Sequence, residues 1–572
     1  MPKQHKFAFL LLIFALILYA TPSGYAIEPS LKFSARDEAF LADLERRSFQ
    51  FFWDQANPRT GLVLDRTRTD GSAADENHRA VASIAATGFG LTALCIAAER
   101  RWVDPIAARE RVRITLRFFD EHALQEHGWF YHWLDANTGQ RKWKSEVSSI
   151  DTALLMAGVL TAKQYFHDDA EIVRLATKIY ERIDFPWMLN GHPALLSMGW
   201  RPESGFIKSR WDDYSEHPML YLMAIGSPTH PITPESWYAW KRNWNHYDGY
   251  RYLGKTPLFT YQYSPAWVDF RQRREIKGER IDYFENSVKA TLAHRRFCID
   301  LAKEFPGYGP NVWGISASDS IKGYVAWGGP PRDQAIDGTV VPYAAAGSLM
   351  FIPKLALAAL RTIRAKYGAQ IYGKYGFADA FNPNTGWVDS DVIGIDLGIT
   401  LLSAENARTR NVWRWFMRNR EIPDAMSKVG LNLFRSRPEH HFNGRWKMGR
   451  PRLSSIRANE NLTAKDAEAF AEPAEKNTFL LELRQNTLCP FGFHSHGSLS
   501  SPSGVLPYSL PTSSNLSASS TVSADSLNRH SQFPEVLFGR FMRASVPSPS
   551  TSCMGTIAVS ATEANNARMK SQ

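Results

Sequence analysis

Cysteine is scarce. The 572 residues hold four, Cys95, Cys298, Cys489 and Cys553, far apart and without the spacing of a metal or redox site. That excludes a disulfide scaffold. The apolar surroundings LTALCIAAER and AHRRFCIDLA make Cys95 and Cys298 buried free thiols. Long hydrophobic runs are lacking too. Phe7–Ala20 is unbroken, but about 14 residues falls short of the roughly 18 that a membrane span needs. Lys3 and Lys6 before it and Gly24-Tyr25-Ala26 after it complete the pattern of a cleaved secretory signal over residues 1–26. The expectation is a periplasmic or secreted protein with no membrane contact once the signal is gone. Blocks of one charge sign are missing as well. The net charge of +10 is spread among mixed acids and bases, with no basic stripe interleaved with aromatics, so nucleic acid is not an expected partner. The patterns HExxH, GxSxG and the P-loop are absent. DRTRTDGSAADE (Asp65–Glu76) fails as a calcium loop, because its glycine is one position late and Thr67 and Thr69 stand at ligand positions.

What is present is helix. DEAFLADLERRSFQFFWDQA, DPIAARERVRITLRFFDEHAL, DAEIVRLATKIYERIDF, FENSVKATLAHRRFCIDLAKEF, PKLALAALRTIRAKYG and NVWRWFMRN pair an apolar stripe with a charged face, as surface helices do. ASIAATGFGLTALCIAA, SSIDTALLMAGVL, HPMLYLMAIG, PNVWGISAS, VPYAAAGSLMF and DVIGIDLGITLLSA are apolar nearly all round and rich in small residues, which predicts burial on every side. The two kinds largely alternate, and no sequence repeat supports a solenoid. The fold class predicted is all-α: an (α/α)6 double-ring barrel over residues 29–433. Ser236–Phe270 breaks the alternation and reads as a long insertion. Residues 434–572 are Ser/Pro-rich and read as a disordered tail without chemistry.

In such a barrel the loops entering the inner helices gather at one end, so acids placed there converge. In SEVSSIDTALL, Ser148 and Asp151 form a near capping box, which explains Asp151 structurally and leaves Glu146 as the candidate for a cleft. In WDDYSEHPMLYL, Glu216 precedes the helix-starting Pro218 and lies between aromatics; burial there raises a carboxyl pKa as a general acid requires. Asp389 and Asp391 precede the last inner helix, as cleft acids or as its caps. Trp211, Trp313, Tyr324, Trp327 and Trp387 are candidate sugar-stacking faces. Asp213, His217, Asp319 and Arg332 are candidate partners for sugar hydroxyls.

YGPNVWGISASDSIKGYVAWGGPPRDQAIDGTVVPYAAAGSLMFIP, together with SEVSSIDTALL, WDDYSEHPMLYL and GWVDSDVIGIDLG, resembles the glycoamylase-like glycoside hydrolases, which include bacterial endo-β-1,2-glucanases. The resemblance spans Pro29 to Leu433. It implies an (α/α)6 barrel, acid/base hydrolysis of a β-glucan with inversion, and no metal or organic cofactor. It maps Glu216 as the general acid and Glu146 and Asp391 as the other catalytic acids. Ser320-Ile321 departs from the Gly-Pro expected in that loop. The partner implied is a polysaccharide or oligosaccharide, and the expected state is a monomer. A polysaccharide lyase and a non-catalytic glycan binder are the competing classes.

Overall fold

The computed structural model describes residues 32–254 and 256–434. The signal segment, the Ser/Pro-rich tail, Cys489 and Cys553 lie outside the described residues.

Short polar residues start the helices. Ser34 caps α1 (Ala35–Asp54), its Oγ accepting the Asp37 N–H at 3.2 Å. Ser83 caps α2 (Ile84–Glu99), Asp104 caps α3 (Pro105–Glu121), Ser148 caps α4 (Ser149–Tyr165) and Asp169 caps α5 (Ala170–Glu181). Proline opens α6 (Pro218–Gly226) in place of a side-chain cap. Then come α7 (Tyr263–Trp267), α8 (Tyr283–Leu301), α9 (Pro342–Ala346), α10 (Pro353–Ile371), α11 (Gly394–Arg408), α12 (Asn411–Phe416) and α13 (Glu421–Lys428).

Burial follows the hydropathy pattern. α2, α4, α6, α9 and α11 are buried almost all round. α1, α3, α5, α8 and α10 bury one face each. Buried helices pack in succession, α2 on α4, α4 on α6, α6 on α7 and α7 on α11, and α11 closes back on α2. Glycine permits the tightest of these crossings. A Cβ on Gly88 of α2 would stand 2.2 Å from the Leu154 carbonyl oxygen, and one on Gly158 of α4 would stand 2.0 Å from that of Gly88. Cys95 and Cys298 are buried free thiols, and burial raises the pKa of both.

Three segments differ from expectation. PNVWGISAS is not a helix: it makes an isolated bridge between Gly309 and Val312 and runs on into the strand Ala317–Ser318. Gly314 there has φ 130°, outside helical space. The buried helix that was looked for there is α7, in the stretch read as an insertion, preceded by a 3-10 turn at Leu258–Tyr261. NVWRWFMRN is not a surface helix: α12 buries Val412, Trp413, Trp415 and Phe416 against α4 and α11. α13, from the end of the described chain, packs on α6 instead.

Short antiparallel strands tie together the ends at which buried helices begin. Val81–Ser83 leads into α2 and pairs with Trp133–Asp135; Val147–Ser148 leads into α4 and pairs with Gly199–Arg201. Asp391–Ile393 leads into α11 and pairs with Arg66–Arg68. An isolated bridge joins Leu64 to Ala82, and another joins Tyr131 to Val147. Glu146, Arg66, Arg68 and Asp391 are thereby brought to one end of the helical assembly. No helix among the described residues is long and apolar enough to cross a membrane.

Candidate active site

One wall of this end is a cluster of aspartates. Strand Arg66–Arg68 alternates its side chains, so Arg66 and Arg68 fall on one face and Thr67 on the other. Arg66 Nη1 donates to Asp319 Oδ2 at 2.6 Å, its Nε donates to Asp65 Oδ2 at 3.2 Å, and Asp391 Oδ2 lies 3.9 Å away. Arg68 Nη1 donates to Asp391 Oδ1 at 2.7 Å. The Asp391 N–H donates to Asp389 Oδ1 at 3.1 Å, and the Asp319 N–H donates to Asp379 Oδ2 at 2.8 Å. The Asp379 N–H donates to the Asp391 carbonyl at 3.0 Å. One carboxylate oxygen from each of Asp319, Asp379 and Asp389 lies within 4.8 Å of the other two. Among the described residues this is the grouping compact enough to hold a cation. Arg66 already places positive charge against it through Asp319.

This crowding shows in proton affinity. Burial, then the charges of Asp379 and Asp319, push the Asp389 carboxyl up to about 8. Asp379 is raised well above the carboxylate range by burial and by Asp396 and Asp319. Burial also raises Asp391, against the opposing pull of Arg68 and Arg66. Asp389 Oδ2 and Asp379 Oδ1 are buried without a hydrogen-bond partner among the described residues. Neither Asp389 nor Asp391 caps α11, whose N-cap is Ile393.

Glu216 is half-buried at the start of α6, and its carboxylate accepts from the Ser215 hydroxyl. Its backbone carbonyl accepts from Ser264 Oγ, and that Oγ accepts the Met219 N–H at 2.9 Å, so α7 pins the start of α6. Beside Ser264, Tyr263 stacks on Phe259, with ring centroids 5.1 Å apart. Tyr263, Tyr324 and Asp396 all lie close enough to Tyr343 to add to the raised pKa that burial gives its hydroxyl. Tyr343 thus has Tyr263, the neighbour of Ser264, and Asp396, from the first turn of α11, in its electrostatic surroundings.

Glu146 is held differently. His132 Nδ1 lies 3.1 Å from its Oε1, and Arg201 Nη2 donates to its Oε2 at 2.9 Å. Burial pushes the Glu146 carboxyl up; the hydrogen bond and charge of His132, then Arg201, outweigh burial and hold it at about 2. Asp151 has the expected capping geometry: its N–H donates to Ser148 Oγ at 3.2 Å, and that hydroxyl donates to Asp151 Oδ2 at 2.6 Å. His132 Nε2 lies 3.5 Å from Asp151, so one imidazole stands between the two acids.

Several expected sugar contacts are buried. Trp313 is fully buried, and Trp211 and Trp327 nearly so; the indole N–H of Trp211 donates to Ser149 Oγ at 2.8 Å and that of Trp327 to Ser318 Oγ at 3.2 Å. They are core side chains beside polar loops, and none offers a face for stacking. His217 is enclosed by Trp211, Tyr221 and Trp240, and burial lowers its pKa to about 3, so it is a neutral core histidine. Arg332 pairs with Glu304 at 2.8 Å, in the turn after α8. Asp213 receives the Asn243 amide at 2.9 Å. Tyr324 and Trp387 stay half-exposed. Arg66, Arg68 and Asp379 were not among the expected residues. Their signals were the Arg-Thr-Arg alternation and an aspartate enclosed by small residues in GFADAF.

Residues 208–420 match the glycoamylase family model, described as “Putative glucoamylase”. The matched span includes Glu216 and every aspartate of the wall except Asp65, whereas Arg66, Arg68 and Glu146 come from the preceding chain. The chain is 28% identical to an endo-β-1,2-glucanase from Chitinophaga pinensis, solved with sophorotriose and glucose. That match has a TM-score of 0.65 and covers 70% of this chain and 99% of the other. A β-1,2-glucanase structure from Parabacteroides distasonis is 25% identical with a TM-score of 0.62, covering 70% of this chain and 61% of that one. An exo β-1,2-glucooligosaccharide sophorohydrolase from the same species is 25% identical over 431 residues, covering 69% of this chain and 58% of its own length.

Proposed function

We propose that this chain is an exported, monomeric glycoside hydrolase that cleaves β-1,2-linked glucan within the polymer. The fold proposed for it is an (α/α)6 double-ring barrel whose inner helices deliver the acids to one end. Glu216 is the general acid. Asp389 is the general base, in place of Glu146 and Asp391. The observation that carries this reading is Asp389 Oδ2: a buried carboxylate oxygen without a hydrogen-bond partner among the described residues, on a group of raised proton affinity, among aspartates held by Arg66 and Arg68. Glu146 has both oxygens engaged and a low proton affinity, which makes it a weak base and a good anchor.

In the proposed reaction Glu216 gives its proton to the glycosidic oxygen as the bond from that oxygen to C1 breaks. A water attacks C1 from the opposite face and loses its proton to Asp389. One water is consumed, and the new reducing end has inverted configuration, a course that requires the two carboxyls to be roughly 6.5–9.5 Å apart. Asp319 and Asp391, paired with the guanidiniums of Arg66 and Arg68, accept hydrogen bonds from sugar hydroxyls. The relatives' named activities on β-1,2-glucans support the linkage, and the near-complete coverage of the Chitinophaga enzyme supports internal cleavage.

The test is reducing-end release from linear β-1,2-glucan by the purified chain. Glu216→Gln and Asp389→Asn are each expected to lower kcat about 10³-fold, and proton NMR is expected to show the inverted anomer first. Full activity in Glu216→Gln removes the acid, and full activity in Asp389→Asn removes the base. Ultraviolet-absorbing unsaturated products would select a lyase, and sophorose as sole product an exo enzyme.

A further inference from the structure

The wall holds more buried carboxyls than cations. Arg66 is engaged with Asp65 and Asp319 and reaches Asp391, and Arg68 is engaged with Asp391. Asp379 and Asp389 have no cation within ion-pair distance among the described residues. Asp379 is 3% exposed; its Oδ2 takes the Asp319 N–H, and its Oδ1 meets no donor. The carboxyl of Asp396, in the first turn of α11, lies within hydrogen-bonding reach of the Asp379 carboxyl. Two ionised carboxylates offer no donor to each other, so a hydrogen bond between them requires one proton.

We propose that Asp379 is a positioning residue that works as a neutral carboxylic acid: its Oδ1 carries a proton donated to Asp396, and its Oδ2 fixes the Asp319 backbone. An ionised Asp379 adds to the rise that burial gives the Asp389 carboxyl; a neutral one removes that contribution, which lets Asp389 ionise and take the proton of water. This rests on the reading of Asp389 as the base. The charged and titratable groups facing Asp379 are Asp396 on α11, Asp319 just after the strand Ala317–Ser318, Asp391 on the strand entering α11 with Asp389 just before it, and Arg66 and Arg68 on the strand beside it. Tyr343 stands next to Asp396 and donates its hydroxyl proton away from the pair, to the Ala317 carbonyl at 2.7 Å.

The test compares the full chain with Asp379→Asn and Asp379→Ala. Asparagine keeps a donor for Asp396 and an acceptor for the Asp319 N–H without adding charge; alanine keeps neither. At pH 7 the infrared spectrum of the wild type is expected to show a protonated-carboxyl C=O band that Asp379→Asn lacks. The acid limb of kcat/KM is expected to stay in place in Asp379→Asn, while Asp379→Ala loses activity at every pH. An acid limb displaced downward by about one pH unit in Asp379→Asn would show that Asp379 is ionised in the wild type and overturn the proposal. Absence of the band in the wild type would overturn it too. So would a band abolished by calcium or magnesium ions with a rise in Tm, which would make the cluster a cation site. Retained activity in Asp389→Asn, with the infrared band intact, would remove the base assignment alone.

Discussion

Asp151 takes the Ser148 hydroxyl at 2.6 Å, while Glu146, just ahead of the same cap, is held by His132 at 3.1 Å and Arg201 at 2.9 Å. The role of Asp151 was legible in the sequence because the capping bond closes within three residues. The partner of Glu146 was not, because Arg201 lies 55 residues away and arrives only through the pairing of Val147–Ser148 with Gly199–Arg201. Arg66 and Arg68 were hidden in the same way, since their partners lie on the hairpin and on the strand entering α11. The clamp has a pH signature. The Glu146 carboxyl is at about 2 in the folded chain against an ordinary value of 4.5. A depressed carboxyl stabilises the fold above pH 4.5, and that contribution is lost as pH falls toward 2. Glu146→Gln is therefore expected to cost about 3 kcal/mol at pH 7, with the gap to wild type narrowing below pH 4.5. Urea unfolding at pH 7 and at pH 3 measures this; equal stability at pH 7 would mean the pairing contributes nothing.

At the scale of elements, hydropathy sorted long helices well and short ones badly. α2, α4 and α11 are apolar over several turns, and their burial was plain in the sequence. PNVWGISAS is apolar too, but composition alone does not separate a short buried helix from a buried extended segment, and Gly314 at φ 130° decides it. The small residues of the buried helices carry more specific information. Gly88 and Gly158 meet backbone to backbone where α2 crosses α4, and a Cβ on Gly158 would stand 2.0 Å from a carbonyl oxygen. Alanine would gain about 1 kcal/mol in helix propensity. Forcing two buried backbones apart costs more, about 1–3 kcal/mol or beyond. Gly158→Ala is expected to lower the denaturation midpoint, whereas the same change on an exposed helix face would raise it. A midpoint at or above that of the wild type would show that the crossing yields without strain.

Over the whole molecule, the alternation of amphipathic and apolar helices was legible because amphipathic helices sit beside a buried neighbour in sequence, as α1 does with α2, α3 with α2 and α5 with α4. The exception is α6, which carries Glu216 at its start and is not covered by α5, the amphipathic helix before it in the chain. Its cover is α13, nearly 200 residues later, and nothing local in either segment encodes that pairing. The contact is close: a Cβ on Gly226 at the end of α6 would stand 2.2 Å from the Glu421 carbonyl oxygen, and α13 buries Ile422, Ala425 and Met426. The strand Leu431–Leu433 then pairs with Arg273–Glu275. A chain ended after Arg418 loses both contacts, while one ended after Phe434 keeps them. Burial of Ile422 and Met426 alone contributes about 3–6 kcal/mol. The shorter chain is therefore expected to unfold at lower denaturant than the longer one. It is also expected to lose hydrolysis of β-1,2-glucan before it loses helix content, because the helix left uncovered is the one that positions Glu216, the proposed general acid. Thermal denaturation and reducing-end assays on the two truncations, side by side, test this. Equal activity in both would mean that α6 holds Glu216 in place without its outer cover.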